Sequence, residues 1–246
     1  MPGPFDRLSA FLEAFELNVH GVVGAPPAGE DNLVVVGHAE IPKAILIGLG
    51  HSPAVPSGMD QLAAAEVDFG GAGNPLLGAL PAEVRIDIDE DAPLAALTRV
   101  FVAECDASRC GRQAALDRIG AVLVLYVLRE LIEDGTSSPG LLAGLSHPSI
   151  KTALAAIHNQ PDRSWRMEDL AYVAGMSRSS FMVAFRETVG VTPAKYLVRW
   201  RVTLAQRRIA GGQTVKAAAR HVGFGSAEAL AHACRRETGR APTQLP

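Results

Sequence analysis

A chain of 246 residues, 48% hydrophobic and 20% charged, can bury a substantial core as one large domain or two ordinary ones. Three cysteines exclude a disulfide framework, and no uncharged apolar run reaches the roughly 18–20 residues that span a bilayer. The start, MPGPFDRLSAFLEAF, has neither a basic n-region nor a small-residue cleavage site, so a reduced, cytoplasmic protein is expected.

In chain order, residues 6–18 place Leu8, Phe11, Leu12, Phe15 and Leu17 at mostly helical spacing, which predicts a short amphipathic helix. From about 32 to 90, NLVVVG, KAILIGLG, QLAAAEVDFG and EVRIDID are β-prone runs separated by Gly, Pro, Asn and Asp. They predict a small, mostly antiparallel β unit. Residues 93–104 form a helix with Pro in its first turn, and CDASRCGR breaks it from a longer helix over 112–134. There Leu116, Ile119, Leu123, Tyr126, Val127 and Leu131 recur at steps of three and four. This stripe either packs on the β unit or makes a homodimer. A Gly/Ser/Pro-rich linker follows, and everything after it reads as helical. The domains are therefore placed at 1–135, a linker at 136–148 and a second domain at 149–246.

The net charge of −3 conceals a division between those domains. Residues 150–246 hold 15 Lys+Arg against 6 Asp+Glu, a net of +9; residues 1–149 hold 8 against 20, a net of −12. Opposite signs predict modules with different partners, one of them polyanionic.

The basic half contains an internal repeat, in AGMSRSSFMVAFRETVGVTP and VGFGSAEALAHACRRETGRAP. Counting from Ser177 and Ser226, equivalent positions are Phe181 and Leu230, Phe185 and Cys234, Gly190 and Gly239, Pro193 and Pro242. Each Ser is an N-cap, the next two positions are a buried helical face, and each Gly ends the helix. Ala171 before Gly175, and Ala219 before Gly223, supply a small residue for helix crossing and a Gly for the turn. Helix, tight turn and capped helix make a helix-turn-helix, whose second helix enters the DNA major groove. One copy has the weight of an ordinary helical hairpin; two copies in a +9 region do not. Between them, residues 192–209 form a connector helix with Arg199, Arg201, Arg207 and Arg208 largely off its apolar stripe.

The order helix-turn-helix, GVTPAKYLVRWR connector and second helix-turn-helix with VGF resembles the AraC/XylS family of transcription regulators over about residues 150–246. The resemblance implies recognition helices at 178–188 and 227–237 in adjacent major grooves of promoter DNA. By motif position the DNA-binding set is Ser177, Arg178, Ser179, Met182, Val183 and Arg186 in the first unit. Arg199 and Arg201 join it from the connector, and Ser226, Ala227, Glu228, Ala231, His232 and Arg235 from the second unit. Leu230 and Cys234 stand where the family usually has aromatics, and His232 where it often has Arg, so the second unit is expected to be weaker.

The acidic half resembles, less specifically, the cupin-like sensor regions of one branch of that family, through EVDFGGAGNPLLGALPAEVRID and CGRQAALDRIGAVLVLYVLRELI. It implies sensing of a small-molecule effector, dimerisation or both. A β region of about 60 residues is short for a complete barrel, so a reduced or open one is expected. The overall fold class is thus α+β: a cupin-like β unit with flanking helices, then an all-α domain of two helix-turn-helix units. His38 and His51 are isolated, with no HxH pair, so no metal and no cofactor are expected.

Cys105 and Cys110 lie beside Arg109 and Arg112 at the helix break. Either they are redox-sensing thiols with lowered pKa, or they pack as small hydrophobes; zinc needs about four ligands and only two lie here. G-x-S-x-G, P-loop, H-E-x-x-H and G-x-G-x-x-G motifs are all missing, which disfavours an enzyme of cupin or other type. The rival readings are an antagonist or a dimerising partner with a weakened second unit. RNA polymerase enters as a partner if the protein is an activator.

Overall fold

A computed structural model describes residues 8, 11, 12, 15, 17–23, 32–70, 74–90, 92–135 and 139–244. The chain divides into two compact units: Glu16–Asp134, and Gly135–Pro246 together with Met1–Phe15.

The first unit is built on a five-stranded sheet of β1 (Asn18–Val23), β2 (Leu33–His38), β3 (Ile41–Gly48), β4 (Asp60–Asp68) and β5 (Glu83–Asp87), in the order β1-β4-β2-β3-β5. Every pairing is antiparallel. The open sheet, with β1 and β5 at its edges, is the reduced form expected from the short β region. Its central strands are buried at their middles: Val34, Val35, Val36, Ala63, Ala64 and Ala65 are all fully covered. Asn32 extends the ladder with its side chain, donating to Val67 O at 3.0 Å and accepting from Val67 N at 2.6 Å. At the β2–β3 turn Gly37 sits on a bulge, where a Cβ would meet Ile41 O at 2.0 Å. Only glycine fits there.

Helices α1 (Pro93–Asp106) and α2 (Arg112–Asp134) complete this unit, both within two residues of the expected bounds. Arg112 ends α1 by donating to the carbonyls of Glu104, at 3.0 Å, and Cys105. Gly120 lets α2 lie close on β1, since a Cβ there would come within 2.7 Å of Val19 Cγ1. The stripe expected on α2 is split between two faces. Leu116, Leu123 and Val127 are buried, while Ile119, Tyr126 and Leu131 are half-buried and Val122 is 43% exposed.

The second unit contains α3 (Leu141–Ser146), α4 (Ile150–Asn159), α5 (Met167–Val173), α6 (Arg178–Val189), α7 (Pro193–Ala210), α8 (Val215–His221) and α9 (Ala227–Thr238). Two placements differ from the sequence expectation. The span 136–148 is not an extended linker where it is described: Leu141, Leu142 and Leu145 are buried, and Gly144 would carry a Cβ 2.6 Å from Leu154 and 2.9 Å from Val189. Its apolar LLAGL outweighs the Gly and Pro around it.

The N-terminal segment also differs. Leu12 N donates to Leu8 O and Phe15 N to Phe11 O, both at 2.8 Å, the bonding of a helical turn. Phe11 and Phe15, however, pack in the helical unit and not in the acidic one. The other residues of the expected helix up to 16 lie outside those described. Asn18 already belongs to β1. Among the described residues no helix is long and apolar enough to cross a membrane.

Candidate nucleic-acid interface

The two repeats fold alike for the same local reasons. Ser177 accepts from Ser180 N at 3.2 Å and Ser226 from Ala229 N at 3.1 Å, so each hydroxyl satisfies an orphan amide in the first turn. Gly190 (φ 81°) and Gly239 (φ 73°) take the left-handed conformation that closes each helix. The 12-residue helices α6 and α9 then bury two equivalent pairs, Phe181 with Leu230 and Phe185 with Cys234, to which α6 adds Val189 and α9 adds Ala233. Phe185 meets Phe181 and Tyr196 edge-on, with centroids 5.6 and 5.8 Å away. The second core is smaller in its parts: Val202, Ala205, Ala218, Ala219, Val222, Leu230, Ala233 and Cys234.

Away from these cores lie the positions expected to face DNA. On α6, Arg178, Ser179 and Arg186 are exposed, Val183 is 57% exposed and Met182 is half-buried. On α9, Glu228, His232 and Arg235 are exposed, with Ala227 and Ala231 half-buried. Arg178 pairs with Glu168 of α5 at 2.9 Å, a surface contact worth little, so its guanidinium remains available to a ligand. Hydrogen bonding from Ser226 holds the Glu228 carboxyl below the usual range, as suits an acid in a helix's first turn.

The connector α7 spans 18 residues, about 27 Å at 1.5 Å per residue. Its two expected DNA-contacting arginines are occupied differently. Arg199 pairs at 3.0 Å with Glu237 of α9, whose side chain is only 8% exposed. Burial pushes the Glu237 carboxyl up, but hydrogen bonds from Arg199 and Arg236 outweigh it and keep its pKa low. Arg201 is engaged within its own unit. Its guanidinium donates to three backbone carbonyls, Pro161 at 2.6 Å, Arg163 at 2.8 Å and Gly223 at 3.2 Å. It braces the turn of the second unit against the 161–163 loop, committing three of the five N–H groups of its fork to the protein itself. Gly223 (φ 83°) permits this approach, since a Cβ would stand 2.6 Å from Asp162 O.

A helix-turn-helix domain model matches residues 170–245, and a cupin model matches residues 25–133. A protein of Streptomyces lividans named as an AraC-like transcription regulator is 40% identical over 128 residues, 51% of this chain and 42% of that one. The HTH-type transcriptional regulator AlkR of Acinetobacter baylyi is 33% identical over 175 residues, 69% and 57% of the two chains. The DNA-binding domain of AdpA, crystallised with a target DNA, is 33% identical over 39% of this chain and 87% of its own, with a TM-score of 0.37. The chain carries an AraC-type helix-turn-helix domain and a cupin domain, and relatives it matches are named AraC-like transcription regulators. It spans about half the length of the curated relatives it matches.

Of the two readings left open for Cys105 and Cys110, packing as a small hydrophobe is the one that the surroundings of Cys105 favour. Cys105 is buried, and that burial pushes its thiol up to about 11, against the pull of Arg112. Arg112 is turned toward the α1 carbonyls, so its charge ends a helix, and burial outweighs its pull on the Cys105 thiol. Cys110 is exposed. Of the histidines, His51 pairs with Glu83 at 3.1 Å, which raises its pKa, and His38 is exposed. Among the described residues no group of three or more His, Cys, Asp or Glu is placed to hold a metal.

Sequence reasoning passed over His158, which is buried between α4 and α7 and held by that burial down to about 3. Its Nε2 lies 2.7 Å from Tyr196 Oη. A lone His in the apolar run ALAAIH was the signal, and it was too weak to separate a core ring from a surface one.

Proposed function

We propose that the protein is a non-enzymatic, sequence-specific DNA-binding transcription regulator, with promoter DNA bound by α6 and α9 in successive major grooves. The observation that carries this reading is the pair of equally capped, equally long helices, 49 residues apart, in a region of charge +9. Their outward residues, above all Arg178 and Arg186, are the base-reading set, and backbone amides at the Ser177 and Ser226 caps favour phosphates.

The first helix carries more of the specificity. It presents Arg178 and Arg186 where α9 presents Ala227 and Arg235, and α9 adds Glu228, a carboxylate that gains nothing from phosphates. Arg186→Ala should weaken operator binding by about 1–3 kcal/mol and relax one base position, whereas Glu228→Ala and His232→Ala should cost less. Footprinting on the protein's own upstream region, followed by titration of the variants, measures both effects. Equal or larger losses from α9 would reverse the assignment. A wild type that protects no DNA and shows no salt-dependent binding would overturn the reading altogether.

The acidic unit supplies the signal and the second copy. Its cupin match and the apolar cluster of Val34, Val36, Ala44, Leu46 and Ala64 with Met59 support a small-molecule effector, tested by footprints with and without candidate ligands. At an activated promoter RNA polymerase is the next partner.

A homodimer is supported by the outward face of α2, where Ile119, Val122 and Tyr126 recur at steps of three and four and Arg129 lies 5.1 Å from the Tyr126 ring. Sedimentation of the full chain at tens of micromolar should give a dimer, and Val122→Glu should shift it to monomer. A monomeric wild type rejects the dimer.

A further inference from the structure

The family model that matches the second unit begins at residue 170, yet the aromatic cluster beside it draws on residues much earlier in the chain. Tyr196, Trp200 and Arg207 are spaced by four and seven residues, which puts them on one face of α7. Phe11 and Phe15, four apart, lie along that face. Phe11 stands 4.9 Å from the Trp200 ring and 5.2 Å edge-on from His158; Phe15 stands 5.9 Å from Trp200. The Arg207 guanidinium sits 4.6 Å from the Phe15 ring centroid. Phe11 is fully buried and Phe15 nearly so.

We propose that the groove of His158, Tyr196, Trp200 and Arg207 is the docking site of the chain's own N-terminal aromatic segment, and that Phe11 and Phe15 seated there complete the DNA-binding unit. The occupant is argued from matched stripes: two aromatic rings at helical spacing meet an aromatic, cation-tipped face at helical spacing. Tethering keeps the segment at high local concentration, so a modest intrinsic affinity suffices. The affinity is modest because the groove is not purely apolar. Among the described residues, His158 Nδ1 and Trp200 Nε1 are buried with no hydrogen-bond partner, so seating the rings removes water from two polar atoms.

The consequence for DNA follows from where the groove lies. Tyr196 also packs on Phe185 of the first recognition helix, while Val202 and Ala205 of the same α7 belong to the second core. A segment clamped from His158 to Arg207 therefore stiffens the connector on which both recognition helices are carried. An unclamped connector samples more orientations, and DNA binding must then order it. This step rests on the proposed DNA-binding function, whereas the docking itself does not.

The docking is read in the wild-type full chain by NMR, with Phe and Trp selectively labelled: contacts between Phe11 or Phe15 ring protons and the Trp200 indole are expected, and their absence overturns the proposal. The functional half is read with Phe11→Ala/Phe15→Ala in the full chain, its helix content checked by circular dichroism. Affinity for a footprinted operator should fall about tenfold, the scale of one aromatic pair, and a synthetic peptide of residues 1–17 in excess should restore it. Unchanged affinity, or a loss that the peptide does not reverse, overturns the clamp. If the Ala pair fails to fold, Phe11→Leu/Phe15→Leu is measured by the same criteria. A wild type that shows the ring contacts but binds no DNA leaves docking standing and removes the functional reading alone.

Discussion

Replacing Arg201 by Ala is expected to destabilise the helical unit by about 2–4 kcal/mol and to leave the salt dependence of DNA binding unchanged. Each of the three carbonyls it serves lies at a place the chain must turn, at 161, 163 and 223. Hydrogen bonds from a charged donor are worth about 1.5–3 kcal/mol each when buried, and a carbonyl left dry costs about as much. Arg201 is only half-buried, so water replaces part of the loss, and the sum is discounted accordingly.

Arg201→Lys should recover only a fraction, because an ammonium is a compact point charge and cannot span three acceptors in a fork. The measurement is a urea midpoint paired with a salt titration of operator affinity. A phosphate-contacting arginine behaves oppositely: its removal lowers the log–log salt slope by about one and leaves the midpoint alone. That second outcome would return Arg201 to the DNA interface.

Phe185→Ala is expected to be the costlier of two core truncations, at about 3–5 kcal/mol, with Leu230→Ala near the lower end of about 2–5 kcal/mol. Phe185 is fully buried between two other rings, Phe181 and Tyr196, and its loss leaves a large void walled by stiff aromatics. Leu230 is equally buried, but its neighbours include Ala218, Ala219, Ala233 and Cys234, so fewer contact atoms are lost. The equilibrium unfolding midpoints of the two variants decide the order. A larger loss at Leu230 would mean that the second unit is the better packed, and that its small residues signify close helix approach instead of a thinner core.

The helical repeat was legible because its determinants are local. Ser177, Ser226, Gly190 and Gly239 act on amides and carbonyls within four residues of themselves, so the expected recognition helices at 178–188 and 227–237 end one residue short of the observed ones. The same holds for α2, which occupies 112–134 as expected. Four of the five strands also announced themselves, since their short apolar runs are bounded by turn residues.

What escaped was decided at a distance. NVHGVV became β1 only by pairing with β4, some 45 residues on. LLAGL became a helix because Leu154 and Val189 cover it. Arg201 resembled every other arginine of a basic helix until the fold brought Pro161, Arg163 and Gly223 around it. For Cys105 the neighbouring arginines were visible but its burial was not, and burial set the sign of its pKa shift. The sequence by itself determined the capped helices and the charge division, because periodicity and caps act within a turn. Only the tertiary structure decided which side chains are consumed by the protein and which face solvent, because that depends on contacts between residues far apart in the chain.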